Sequence, residues 1–149
     1  MGNGIAHVFA QNGYQVNLID VSQTALDKAR VTITKNLDRM VSKEKISDSE
    51  KESTLKCLSM LTDLRVGVEN ADLIIEAATE NFDIKSKIFK EMDDCAPKHC
   101  ILATNTSSIS ITKIAAQTNR EDKIIGMHFM NPVPIMKLVE VIKGYSTSD

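Results

Sequence analysis

Three residues in the second half of the chain have the types and spacing for acid–base chemistry. His128 lies near the end of the apolar stretch KIIGMHF, Glu140 sits inside KLVEVI, and Ser107 is the first serine of NTSSIS. A proline loop, NPVP, separates the two apolar stretches, so a strand, a turn and a returning strand could set His128 beside Glu140. Histidine titrates near neutrality and suits the removal of a proton from a hydroxyl. A carboxylate on its other ring nitrogen fixes the tautomer and stabilises the imidazolium. A lone carboxylate within an apolar run is costly unless paired, which favours the pair. The alternatives are a structural histidine at a strand end and an edge strand that shows Glu140 to solvent. A lone Ser107 would read as a helix cap, but Ser108 can fill that role and leave Ser107 free.

The elements that must position these groups alternate. A helix over 4–11 is closed by Gly13, and YQVNLID reads as a short strand. Ser22 caps a long helix whose apolar positions Leu26, Ala29, Ile33, Leu37, Met40 and Val41 recur with a helical period. SDSE, at 47–50, is a capping box opening another helix. Then follow the buried strand ADLIIEAA, a helix carrying Ile84, Ile88, Met92 and Cys95, the strand CILATN, a short helix from about Ser108, and the strands KIIGMHF and KLVEVI. Strands alternating with helices predict a parallel sheet covered on both faces. Ligands of such sheets bind at the carboxyl ends of the strands. That rim is where Asp20, Glu80, Ser107 and His128 are expected.

The opening MGNG supplies at most the end of a G-x-G-x-x-G dinucleotide fingerprint, with Gly2 as its third glycine. On glycine spacing alone, a flexible terminus is the better explanation. Asp20, ending the next strand, strengthens the case. An acid roughly 20 residues on accepts the adenosine ribose hydroxyls of NAD and repels the extra phosphate of NADP. The alternative for Asp20 is a strand-end turn former or helix cap.

Composition narrows the remaining classes. A formal net charge of -2 argues against a nucleic-acid surface. No apolar run is long enough to span a membrane, and no signal-peptide pattern is present. The Met-Gly start lacks the Ser or Thr of a myristoylation motif, having Ala6 in that place. Cys57, Cys95 and Cys100 form no C-x-x-C and read as free thiols. With His7, His99 and His128 they show no metal-ligand spacing, so no metal is expected. His7 and His99 read as surface or structural residues, the KEKISDSEKE run as a solvated face, and Glu76 as a semi-buried acid without an evident role.

NTSSISITKIA and GMHFMNPVPIMKLVEVI, with EAATENFDIKSKIF and MGNGIAHVFAQNGYQVNLID, closely resemble the 3-hydroxyacyl-CoA dehydrogenases, including bacterial 3-hydroxybutyryl-CoA dehydrogenases, over the whole chain. The resemblance implies an α/β fold: a Rossmann-type, doubly wound, mostly parallel sheet with a terminal antiparallel strand. It implies NAD as cofactor and oxidation of a (3S)-3-hydroxyacyl-CoA to the 3-oxoacyl-CoA, or the reverse. By resemblance, His128 is the catalytic base, Glu140 its carboxylate partner, and Ser107 contacts the substrate oxygen and the nicotinamide side. Gly2, Asp20, Glu80 and Lys85 match cofactor contacts. Asn131, Lys43 and again Lys85 match substrate contacts, the two lysines toward coenzyme A. Asn36 stands where another family serine often meets coenzyme A. Two other readings remain: a non-catalytic, NAD-binding or crystallin-like relative, and another 3-hydroxyacid dehydrogenase.

In the family a strand and a G-x-G precede the first helix, and a helical substrate and dimerisation domain follows the last strand. The expectation is therefore that residues 1–149 are a Rossmann domain lacking its first, central strand and separated from that second domain, through which the parent forms a homo-oligomer. No nucleic-acid or membrane partner is expected. The compartment implied is the cytoplasm, or the mitochondrial matrix in a eukaryotic source. Without a central strand, the isolated chain should melt poorly and bind NAD weakly, which calorimetry and NAD titration would test.

Overall fold

A computed structural model describes residues 1–149. The chain divides into two compact units, residues 1–67 with 132–135 and residues 68–131 with 136–149. Its strands form two sheets, one of two strands and one of four. Parallel pairing with one terminal antiparallel pair is the α/β class the sequence predicts. No helix is long and apolar enough to cross a membrane.

The first unit contains α1 (Gly2–Gln11), β1 (Val16–Ile19), α2 (Gln23–Ser42), α3 (Asp48–Lys56), β2 (Leu58–Leu61) and α4 (Leu64–Val68), at whose last residue the second unit begins. Gly13, at φ +85°, takes the left-handed turn that ends α1. Ser22 caps α2 by accepting the Ala25 amide, and Ser47 and Glu50 close the capping box of α3 reciprocally. β1 pairs with β2 in parallel, Val16 opposite Leu58 through Ile19 opposite Leu61. Ala6 and Ala10 of α1, Ile33 and Leu37 of α2, and Leu58 of β2 make the core. β2 and α4 were not expected from the sequence: LSML and LRVGV are too short to show a period.

The second unit contains β3 (Leu73–Glu76), α5 (Phe82–Cys95), β4 (Ile101–Thr104), α6 (Ile111–Ala115), a 3₁₀ turn (Glu121–Lys123), β5 (Ile124–Phe129) and β6 (Val139–Lys143). β3, β4 and β5 pair in parallel and β6 adds an antiparallel edge. Of the apolar residues noted on α5, Met92 is buried with Lys85, Ser86 and Phe89, whereas Ile84 is 42% exposed. The short helix starts at Ile111 with Ser110, not Ser108, as its cap, because both polar groups of Ser108 are directed at Glu80. The C-terminus of α5 is closed from outside: Arg120 donates to the carbonyls of Asp93, Ala96 and Pro97 and to the Asp93 carboxylate. An added Cβ on Gly126 of β5 would lie 2.9 Å from Ile111 Cδ1 and 3.1 Å from Ile142 Cβ. The glycine lets α6 settle closely on the strand that bears His128.

Two stability outcomes follow from these environments. Arg120→Ala leaves a mostly buried Asp93 carboxylate without its cation, with only Asn119 donating to it, and three carbonyls open. Chemical denaturation should show a loss of about 3–5 kcal/mol. His7, in α1, is fully buried with no hydrogen bond completed at either ring nitrogen. Burial pushes its pKa below the ordinary value, and Gln11, one turn on, opposes that shift in part. The fold thus prefers neutral His7, while the unfolded chain takes up a proton below pH ~6.5. The stability His7 contributes is present above that pH and is lost as pH falls toward the lowered folded value. Denaturant midpoints measured across this window should fall with acidification, and His7→Leu should flatten that part of the decline.

Candidate active site

The loop after β4 assigns one task to each residue of NTSS. The Asn105 amide extends the ladder to the Glu76 carbonyl, and its side-chain oxygen accepts the Phe129 amide at 2.8 Å, tying the loop to the end of β5. Thr106 donates to Glu80 and accepts the Ile109 amide. Ser107 Oγ lies 3.0 Å from His128 Nε2, and His128 Nδ1 lies 2.7 Å from Glu140 Oε2. His128 and Glu140 are direct partners in the β5–β6 register, so both side chains stand on one face of the sheet. The result is a continuous line, serine hydroxyl to imidazole to carboxylate. Its partly exposed members are open to a ligand, the His128 side chain being 22% exposed and that of Glu140 51%. The two readings offered for Glu140 meet here: it faces His128 at hydrogen-bond distance, and β6 is an edge strand exposed along most of its length.

A second cluster supports this loop. Glu80 Oε1 accepts from the Ser107 amide at 3.2 Å, the Ser108 amide at 3.3 Å and the Ser108 hydroxyl at 3.2 Å, besides Thr106. Its other oxygen faces Lys85 Nζ at 3.7 Å. Burial alone would raise the Glu80 pKa; the Thr106 and Ser108 hydroxyls, the Lys85 charge and the Ser108 amide outweigh it and hold the carboxyl below its usual value. Lys85 has no exposed side-chain surface. Its ammonium is taken up by Glu76 at 2.8 and 3.0 Å and the Ala78 carbonyl at 3.4 Å. Lys85, for which resemblance implied a ligand contact, is thus enclosed by Glu76, Ala78 and Glu80.

The remaining expected residues stand as follows. Asn131, two residues beyond β5, is exposed and makes no hydrogen bond to the chain. Gly2, Asp20 and Lys43 belong to the first unit and are described within it. Asp20 follows β1, is exposed, and uses one carboxylate oxygen to accept the Ser22 amide at 2.9 Å. Lys43 is the exposed C-cap of α2. Gly2 opens α1, where an added Cβ would meet only Leu18 Cδ1 at an ordinary 3.8 Å; Gly4 is the tighter position, 3.0 Å from Val133 Cβ. Sequence reasoning missed Asn105, Thr106 and the partner of Glu76. For Asn105 and Thr106 the only local signal was adjacency to Ser107.

The whole chain, residues 1–149, matches the family model described as 3-hydroxyacyl-CoA dehydrogenase, NAD binding domain. This chain belongs to that family. It is 48% identical over 148 residues to a 3-hydroxybutyryl-CoA dehydrogenase of Clostridioides difficile, covering 99% of this chain and 52% of the relative. It is 46% identical over 153 residues to the mitochondrial hydroxyacyl-coenzyme A dehydrogenase of Mus musculus, covering 99% and 49%. The crystal structure of (S)-3-hydroxybutyryl-CoA dehydrogenase from Ralstonia eutropha superposes with a TM-score of 0.97 at 48% identity, covering 100% of this chain and 52% of that one. The chain thus spans about half the length of the relatives it matches.

The residues present in this NAD-binding domain fit the cofactor. α1 has no side-chain cap on its first turn, which leaves its leading amides to an anion such as a pyrophosphate. Asp20 keeps an oxygen uncommitted at a strand's carboxyl end, where hydroxyl donors can reach it.

The hydrogen-bond line defines a tautomer. With Glu140 able only to accept, neutral His128 carries its proton on Nδ1, and Nε2 accepts from the Ser107 hydroxyl. Nitrogen-15 NMR of the imidazole should show the Nδ1–H form. Glu140→Ala should mix the two tautomers, and Ser107→Ala should not.

Proposed function

We propose that the protein carrying this chain is an NAD-dependent 3-hydroxyacyl-CoA dehydrogenase, interconverting (3S)-3-hydroxyacyl-CoA and 3-oxoacyl-CoA. The observation that carries the reading is the Ser107–His128–Glu140 line, in a chain of this family. Oxidising a secondary alcohol removes a hydride from carbon and a proton from oxygen. Bound NAD supplies the hydride acceptor.

The chain's own residues handle the rest. With substrate bound, the Ser107 hydroxyl turns from Nε2 to donate to the substrate oxygen, and the substrate hydroxyl takes its place as the donor to Nε2. Nε2 takes that proton as the carbon–oxygen bond becomes a carbonyl. Glu140, on Nδ1, keeps the ring oriented and stabilises the imidazolium. In the reverse direction His128 returns the proton to the carbonyl oxygen. Asn131, open beyond β5, contacts the substrate, and Lys43 meets the coenzyme A moiety. Gly2 borders the cofactor phosphates and Asp20 accepts the ribose hydroxyls. Glu80 serves the cofactor side through the serine loop that it holds. The acyl-CoA substrate and the homo-oligomer, formed through a helical domain outside these residues, belong to the same reading, as does a cytoplasmic or mitochondrial-matrix setting.

Turnover of a panel of 3-hydroxyacyl-CoA thioesters by the whole protein tests this. NADH formation from the (3S) thioesters supports it, and activity only on free hydroxy acids contradicts it. His128→Gln should lower kcat by about 10²-fold or more with the NAD dissociation constant little changed. Asp20→Ala should narrow the preference for NAD over NADP in kcat/KM, because the carboxylate that repels the 2′-phosphate is gone. An unmodified protein that uses both cofactors equally would overturn the role given to Asp20.

A further inference from the structure

Glu76 is the most enclosed acid of the second unit, and the reaction as described does not use it. It ends β3 directly opposite Thr104, the last residue of β4. Only 2% of its side chain is exposed, and that of Lys85 is wholly buried. Every acceptor direction is taken. Oε1 receives the Ala78 amide at 2.6 Å and Lys85 Nζ at 2.8 Å. Oε2 receives the Thr104 hydroxyl at 2.7 Å and Lys85 Nζ at 3.0 Å. A buried pair of this kind contributes little net stability compared with apolar residues of equal volume, so stability alone does not account for it.

Its position does. Lys85 Nζ touches one oxygen's side of Glu80 at 3.7 Å, and the other Glu80 oxygen gathers the amides of Ser107 and Ser108 with the hydroxyls of Thr106 and Ser108. Ser107 in turn meets His128. The loop after β3 and the loop after β4 are thus joined by one carboxylate, and that carboxylate's orientation is set by a cation that Glu76 and Thr104 fix.

We propose that Glu76, oriented by Thr104, is a positioning residue: it anchors Lys85 so that Glu80 holds the Ser107 loop against His128. Its part in the reaction rests on the dehydrogenase reading above; its part in ordering the loop does not. Without the Glu76 charge, Lys85 turns to Glu80 as its sole counter-ion and draws that carboxylate from the serine amides. The hydrogen bond from Ser107 to the imidazole then loses its fixed geometry.

Two measurements on the whole protein separate these claims. In Glu76→Gln, hydrogen exchange at the Ser107 and Ser108 amides should quicken by about tenfold, with Leu102 and Ala103 of β4 unchanged. Unaltered exchange, or uniform acceleration across β4 and the loop, overturns the proposal. Thr104→Val removes only the hydroxyl on Glu76 and serves if Glu76→Gln does not fold; the same selective pattern, smaller in size, is expected. The second measurement is a double-mutant cycle in kcat. Glu76→Gln should lower kcat by about tenfold in the native background and less than about twofold in Ser107→Ala, because both act through one hydroxyl. Effects that multiply overturn the proposed route to catalysis. Absence of turnover in the unmodified protein would instead contradict the dehydrogenase reading, leaving the exchange pattern to decide the positioning role.

Discussion

The pairing of β5 with β6 is the constraint on which the rest of the second unit depends. In an antiparallel ladder, residues directly opposite share a face, and here the opposed pair is His128 and Glu140. A slip of one residue would turn Glu140 to the other side of the sheet, and the imidazole would lose the acceptor that defines its tautomer. Apolar neighbours hold the register: Phe129, opposite Val139, is buried, and Gly126, opposite Ile142, admits Ile111 of α6. Packing thus fixes the geometry of a polar pair that is itself half open to solvent.

The serine arrives from a different part of the sequence and needs its own support. A loop residue is free to move unless its backbone is tied, and the Ser107 amide is tied by a carboxylate rather than by secondary structure. Asn105 fastens the same loop to the end of β5. Two tethers, one to each neighbouring element, fix a hydroxyl that has no helix or strand of its own. Rigid supports of this kind keep reacting groups within reach of one another without large motions.

Local signals in the sequence were legible and distant partnerships were less so. The capping box at Ser47 and Glu50, the cap at Ser22 and the turn at Gly13 are written within a few residues, and the structure has each of them. The nearness of His128 and Glu140 was legible because a proline loop between two apolar stretches leaves few alternatives to a returning strand. The inward turn of Lys85 on α5 was not legible, because a lysine adds nothing to an apolar period. Its partner, Glu76, comes from a strand and cannot be paired with it by spacing. Ser108 was taken for a cap because hydroxyls compete equally for that role until a carboxylate such as Glu80 draws one away. The exposure of Glu140 was not legible, because an apolar run does not reveal whether its strand lies at an edge.

The proposed reaction turns on the Nε2 atom of His128 exchanging a proton with the substrate oxygen. The most direct measurement is the pH dependence of kcat/KM for the whole protein in both directions. Oxidation needs the unprotonated imidazole and reduction the protonated one. The oxidation rate should rise, and the reduction rate fall, through one shared ionisation that disappears in His128→Gln. Limbs of the same sign in both directions, or a shared ionisation that persists in His128→Gln, would contradict it.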